Sequence, residues 1–237
     1  MNILITMAGL GSRFKKAGYN QPKYMIEVRG KTLFQWSMES LTAFRDERHI
    51  FVVRRADGAE DFIREMCQKL EIADIEIIEI ENLTRGQAET AMLAAFCWRE
   101  DESLLVYNID TYVEPGELLP ELIKGDGFIH CFEASGDHWS FVKLDDSGKA
   151  VEVREKTRIS NHCSIGAYYF SSCKLYAELY RKLYDEQGHL EKGERYIAPL
   201  YNLLLQQGKD VYIQDIPPVK VHVLGTPEEV QIFSKEG

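Results

Sequence analysis

The chain has 237 residues, 45% of them apolar, enough to bury a substantial core without a disulfide or metal staple. Its 38 acidic and 28 basic residues leave a formal net charge of -10, which argues against nucleic acid or an anionic membrane surface as the main partner. A nucleotide site needs only a few local cations and stays open. Cys67, Cys97, Cys131, Cys163 and Cys173 lie about ten or more residues apart, so no CxxC metal or redox motif exists. With no leader pattern and no apolar run near the roughly 20 residues of a membrane span, the expectation is a cytoplasmic protein away from membranes.

In chain order, the run Ile3-Leu4-Ile5-Thr6-Met7 predicts a buried strand that stops at the glycine-rich turn Ala8-Gly9-Leu10-Gly11-Ser12-Arg13. Such a turn exposes backbone N–H groups to an anion. Ser12 can cap a following helix, and Arg13 can reach phosphate oxygens. Lys23 follows, its approach fixed by Pro22. Gly30-Lys31-Thr32 looks like the end of a P-loop, but Met25 stands where the first glycine is required. Ile50–Val53, Ile75–Ile80 and Leu104–Tyr107 predict strands. Leu33–Phe44, Ala59–Leu70 and Gln87–Trp98 carry helical spacing. This alternation predicts an α/β fold with a doubly wound, mainly parallel sheet that binds ligands at the carboxyl ends of its strands.

Two further segments fall at such ends. Leu83-Thr84-Arg85-Gly86-Gln87-Ala88-Glu89-Thr90 is a polar turn entering a helix, with Glu89 suited to the positive end of the dipole. By composition alone it is also an ordinary turn. Val106-Tyr107-Asn108-Ile109-Asp110 delivers a carboxylate able to hold Mg²⁺ with phosphates and waters, although a lone aspartate after a strand is more often a helix cap or turn residue.

From Gly127 the strands Phe128–Phe132, Phe141–Leu144, Ala150–Arg154 and Ile165–Phe170 come closely spaced and predict an antiparallel or mixed extension. Leu175–Tyr184 and Ala198–Leu205 predict helices, and Val211–Ile213 and Val219–Leu224 closing strands. Taken alone, Arg154-Glu155-Lys156 is a solvated charge cluster.

Together, Ala8 to Arg13, Gln21-Pro22-Lys23, Ile26-Glu27-Val28 and Gly30-Lys31 resemble the G-x-G-[ST]-R…P-K signature of the sugar-phosphate nucleotidylyltransferases, whose fold is shared with GT-A glycosyltransferases. In more detail the run is similar to the capsule-biosynthesis, BcbE-like branch of nucleotidyltransferases. The resemblance implies one Rossmann-like domain over 1–237, with a nucleotide-binding half (1–126) and an acceptor-binding half (127–237). It implies that Ala8, Gly9, Gly11, Ser12 and Arg13 wrap a nucleoside triphosphate while Lys23 stabilises charge at the attacked α-phosphate. Thr84, Gly86, Gln87 and Ala88 become nucleoside contacts. Asp110 becomes the Mg²⁺ ligand, with Asn108 beside it, so the catalytic set is Arg13, Lys23 and Asp110. On the acceptor side Lys156 grips a phosphate and Glu155 a polar group, with Gly166 and Tyr168 lining the pocket. Glu194, within Gly193-Glu194-Arg195-Tyr196-Ile197, is an acceptor-side contact or a helix-start residue.

The implied reaction transfers a nucleoside monophosphate to a phosphorylated acceptor, releasing pyrophosphate, for capsule or surface-polysaccharide synthesis. CTP is mildly preferred and a sugar 1-phosphate is the default acceptor; phosphorylated polyols, amines and amino-acid derivatives also qualify. A glycosyltransferase using a nucleotide sugar, or a nucleotide-binding module without turnover, are the alternatives. The tyrosine and phenylalanine content permits a homodimer. The resemblance weakens at His222-Val223-Leu224-Gly225-Thr226, where Val223 stands in place of a second metal-binding aspartate. Either Asp110 suffices, or His222 substitutes after a register shift, or transfer is inefficient. His222 on an apolar strand is also an ordinary structural histidine.

Overall fold

The computed structural model describes residues 1–235. It begins with β1 (Asn2–Thr6), paired in parallel on both edges, whose Ile3 and Ile5 are fully buried in the core on one sheet face and Leu4 in the core on the other. The short helix α1 (Ser12–Lys16) follows the glycine loop. Its cap is Gly11, in the left-handed region at φ 60, and no side chain caps it. Ser12 is therefore the first helical residue rather than the cap, because glycine enters that conformation without a Cβ penalty.

The hairpin β2 (Glu27–Val28) and β3 (Lys31–Thr32) leads into α2 (Leu33–Glu39), which opens on a capping box between Thr32 and Gln35. The expected helix to Phe44 breaks at Ser40, whose hydroxyl accepts the Val113 N–H at 2.9 Å. Thr42–Phe44 continues as a 3-10 turn. Then come β4 (Arg48–Arg54), α3 (Glu60–Lys69), β5 (Ile75–Ile80), α4 (Gln87–Met92), β6 (Leu104–Asn108) and β7 (Thr111–Val113).

The second half holds β8 (Gly127–Phe132), β9 (Ser140–Leu144), β10 (Ala150–Glu155) and β11 (His162–Phe170). Helix α5 (Cys173–Tyr180) is capped by the Ser172 hydroxyl and runs on as a π-turn over Arg181–Glu186. Helix α6 (Leu200–Gln206), β12 (Val211–Ile216), β13 (Val221–Val223) and α7 (Pro227–Lys235) complete the chain.

The main sheet runs β10-β9-β11-β6-β1-β4-β5, with β8 on β11 and β12 on β8. The segment β6-β1-β4-β5 is parallel, and β11 enters antiparallel to β6. The chain thus moves outward from β1 to β5 and returns to β6 on the other side of β1. That reversal opens a crevice at the carboxyl ends of β1 and β6. The β11–β8 register shifts between Ser164 and Ala167; β11 pairs with β8 on both sides of this bulge, while its other edge pairs with β9 at His162 and Cys163 and with β6 from Ala167 to Phe170.

Apolar cores cover both sheet faces, one under α4, α5 and α6 around Leu4, Val106, Tyr176 and Tyr201, the other around Ile5, Phe34, Ile63 and Tyr107. A third cluster of Phe14, Trp36, Tyr112, Val230 and Phe233 seats α7 against α1 and α2. The expected closing strand over Val219–Leu224 does not join the main sheet. Pro218–Lys220 forms a 3-10 turn, and β13 pairs antiparallel with β7 in a separate ribbon. Helix α7 went unforeseen although Thr226-Pro227-Glu228-Glu229 carries a helix-start signal.

Candidate active site

The loop after β1, the turn before α4 and the end of β6 converge on one cavity of about 670 Å³, lined by Ala8, Gly9, Lys23, Thr84, Gly86, Gln87, Asn108 and Asp110. Lys23 Nζ stands 2.5 Å from Asp110 Oδ2, joining a loop residue to the end of β6. Gln87 Nε2 donates to Thr6 Oγ1 at 3.1 Å and to Asn108 Oδ1, tying the ends of β1 and β6 to the start of α4. Gly86 lies at φ 137, where a Cβ would meet the Arg195 carbonyl oxygen at 2.5 Å. That close approach allows the Ala88 N–H to donate to the Arg195 carbonyl at 3.0 Å and the Arg195 N–H to the Arg85 carbonyl at 2.7 Å. The Arg195 guanidinium is buried and bonds the Tyr180 hydroxyl and Asp185. The turn before α4 is thereby clamped to the 193–196 segment. Burial pushes the Glu89 carboxyl up, but bonds from Arg85 outweigh it and hold it below the usual range.

A second cleft of about 250 Å³ opens on the other side of Asp110 and is lined by Arg13, Trp139, Glu155, Gly166, Tyr168 and Glu229 among others. Gln87, Asn108, Asp110 and Tyr196 face both spaces. Glu155 is buried and accepts from the Ser140 hydroxyl at 2.5 Å, which also lies 2.9 Å from the Tyr168 hydroxyl. Burial pushes the Glu155 carboxyl up, and the Ser140 bond offsets only part of that. Lys156 sits at φ 52 just past β10, its Nζ bonded to the Tyr196 hydroxyl and 4.3 Å from the centre of that ring. Gly166, inside the β11 bulge at φ 85, lies so close to Asn108 that a Cβ would fall 2.0 Å from its Nδ2.

A positively lined glycine loop and a carboxylate, meeting at a switch point between two adjoining clefts, form a nucleotide-handling geometry. The sequence comparisons agree with it. Residues 3–187 match the model of the MobA-like NTP transferase domain. The chain belongs to that family. Among solved structures, the nucleoside-diphosphate-sugar pyrophosphorylase from Vibrio cholerae RC9 is 39% identical, with a TM-score of 0.92 over 99% of this chain and 100% of that one. The bifunctional protein GlmU of Methanocaldococcus jannaschii is 27% identical over 88% of this chain and 48% of its own length, so the chain spans about half of it. The 2-aminoethylphosphonate cytidylyltransferase of Lancefieldella rimae is 25% identical over 79% of this chain and 75% of its own.

Within this chain, Ala8, Gly9, Lys23, Thr84, Gly86, Gln87, Asn108 and Asp110 gather around the first cavity, and Arg13, Glu155, Gly166 and Tyr168 around the second. Several expected residues stand elsewhere. Ser12 is exposed outside both linings, and Gly11 faces the Lys23 side chain, to which a Cβ would pack at 3.8 Å. Ala88 is fully buried, and its N–H is already given to Arg195. Glu194 lines the first cavity, not the second. Lys156 lies behind Tyr196 rather than in the cleft wall.

His222 does not join Asp110. It stacks on Tyr112 with ring centres 5.3 Å apart, touches Phe233, and lies 3.9 Å from Glu114. The β13 register is regular, so no shift turns it inward, and its neighbour Val223 lines the second cleft instead. Sequence reading missed Arg195 as the clamp, Tyr196 as a wall shared by both clefts, and Glu229. No group of three potential metal-ligating side chains gathers among the described residues. No helix among them is long and apolar enough to cross a membrane.

Proposed function

We propose that this protein moves a nucleoside monophosphate from a nucleoside triphosphate to a phosphorylated small molecule, releasing pyrophosphate. The observation that carries the reading is the junction of the two cavities at the Lys23–Asp110 pair. A donor in the first cavity and an acceptor phosphate in the second would meet there in line. Phosphate oxygen is already a nucleophile near neutral pH, so alignment and charge stabilisation carry the catalysis.

In this reading the N–H groups of the Ala8–Gly11 loop hold the triphosphate in the first cavity and Lys23 faces the α-phosphate, while Arg13, which lines the second cleft, would reach the phosphates from the acceptor side of Asp110. The clamped turn with Thr84, Gly86 and Gln87 receives the nucleoside, with Asn108 supporting it. Glu155, Gly166 and Tyr168 form the acceptor wall, and Lys156 supplies positive charge behind Tyr196. Asp110 fits a divalent cation: its Oδ2 faces a gap beside Gly225, and one cationic group already stands against it. Held by Asp110, magnesium would supply positive charge that offsets the charge developing on the phosphates during transfer.

CTP is favoured as donor, in keeping with the cytidylyltransferase among the relatives. A sugar 1-phosphate is the leading acceptor, with phosphorylated amines next, and capsule or surface-polysaccharide synthesis is the setting. Pyrophosphate release should be screened with the four common NTPs against phosphorylated sugars, polyols and amines. Release that depends on acceptor and disappears in Lys23→Ala and Asp110→Ala supports transfer; unchanged release in both variants overturns it. Val223 favours one competing reading, a module that binds nucleotide without turnover, which predicts tight NTP binding and no pyrophosphate with any acceptor.

A further inference from the structure

The family signature expects a second acidic ligand where this chain has Val223, and helix α7 brings an acid to the same cleft from one turn further along. Glu229 lies in the first turn of α7, where its N–H donates to Thr226 Oγ1 at 3.2 Å. That cap fixes the start of the helix, and Val230 and Phe233 anchor α7 in the small core beside α1 and α2. The Glu229 carboxylate therefore sits on a rigid element and lines the second cleft together with Asp110 and Gly225.

Its Oε2 is shielded from solvent and has no hydrogen-bond partner among the described residues. A buried, unpaired carboxylate oxygen is costly unless something cationic meets it. Gly225 shows where that would be. A methyl group added there would stand 3.2 Å from Asp110 Oδ2 and 3.6 Å from Glu229 Oε2. The missing side chain leaves a gap flanked by two acid oxygens, one from the end of β6 and one from α7. Lys23 already reaches Asp110; among the described residues no such counter-charge meets Glu229 Oε2.

We propose that Glu229 is the second protein ligand of the divalent cation, acting with Asp110 across the Gly225 gap in place of the aspartate that Val223 replaces. The proposal rests on the nucleotidyl-transfer reading. Two carboxylates completed by substrate phosphates and waters are a usual protein contribution to a Mg²⁺ site, which needs no third acidic side chain. Gly225 then has a role of its own: it keeps the gap open.

The test is a Mn²⁺ titration of the full chain without nucleotide, followed by electron paramagnetic resonance, so the readout is metal occupancy. Wild type should bind Mn²⁺, and Glu229→Gln and Asp110→Asn should each weaken it by at least about tenfold, the lower end of what even outer-sphere partners cost. Gly225→Ala should weaken it comparably, since both acids remain but the gap is filled. Mn²⁺ should also raise the melting temperature of wild type and not of Glu229→Gln. Wild-type Mn²⁺ affinity in Glu229→Gln, or no Mn²⁺ binding by wild type, overturns the proposal. Pyrophosphate release by wild type is measured in parallel. Release with an unaltered Glu229→Gln titration defeats only this assignment; loss of Mn²⁺ in Glu229→Gln with no release from any NTP defeats the transfer reading and leaves the cation site standing.

Discussion

In the parallel part of the sheet, groups that face the first cavity sit on loops just beyond strand ends: Gly9 after β1, Gly86 after β5, Asp110 after β6. In the antiparallel part they are built into the strands themselves. Glu155 closes β10, Gly166 and Tyr168 lie within β11, and Ser140 opens β9 to link Glu155 with Tyr168. Loop groups can be altered without disturbing the ladder that carries them. Strand groups are part of the packing, and a change there is felt by the core. Function and stability should therefore separate in the first region and travel together in the second.

The largest effect should come from the loop side. Lys23→Ala and Asp110→Asn should each lower acceptor-dependent pyrophosphate release by about a hundred- to a thousandfold, the cost of removing one preorganised charge from a transition state. Melting followed by circular dichroism should move little, because both side chains lie partly open to solvent and their pair is worth about 1 kcal/mol or less. A large fall in melting temperature alongside activity would break the contrast.

The junction of the regions should behave differently. Gly166→Ala places a methyl 2.0 Å from Asn108 Nδ2 at φ 85, and Gly86→Ala places one 2.5 Å from the Arg195 carbonyl oxygen. Overpacking and strain of this kind cost about 1 to 3 kcal/mol each. Urea unfolding should show that loss in both variants, together with loss of activity.

Comparing wild type with a His130 variant across pH probes the antiparallel part of the sheet. His130 on β8 is fully buried, and burial holds its imidazole well below the ordinary 6.5, at about 4. The unfolded chain takes up a proton below 6.5 while the folded chain does not, so stability falls as pH drops from 6.5 toward 4. At pH 4.5 this amounts to about 2 to 3 kcal/mol relative to pH 7.5. His130→Leu should remove that part of the acid dependence in urea titrations at the two pH values. His49 on β4 is shifted the same way, so some acid sensitivity should persist in the variant.

These contrasts also explain what the sequence made legible. The parallel strands are buried on both faces and read as plain apolar runs, and the glycines and Asp110 at their ends announce a polar crevice. The helix from Leu33 ends at Glu39 and not at Phe44, next to a Ser40 bond to Val113 that joins segments far apart in the chain. The Arg195 clamp was hidden for the same reason: nothing local tells an arginine in a turn that its backbone will meet Gly86. His222 looked able to turn toward Asp110 only until the β7–β13 pairing fixed which face it shows. Glu229 had a readable local signal in Thr226-Pro227, but its direction depends on how Phe233 and Val230 seat α7.

The smallest effect should come from Glu155, where the two regions differ most in kind. Its carboxyl is raised above the ordinary 4.5, chiefly by burial, so the folded state favours the neutral acid. The associated stability is present below that ordinary value and lost as pH rises through the raised one. Glu155→Gln keeps an acceptor for the Ser140 hydroxyl and removes the buried charge. It should therefore be neutral or stabilising at pH 7, by less than about 1 kcal/mol, and flatten the unfolding profile between pH 4 and 7. If the acid also touches the acceptor, steady-state kinetics should show the acceptor KM rising by about tenfold while the NTP KM holds. A change in the NTP KM instead would mean that the strand-built wall reaches across Asp110 into the donor cavity, and the division between loop-borne and strand-borne groups would no longer follow the division between substrates.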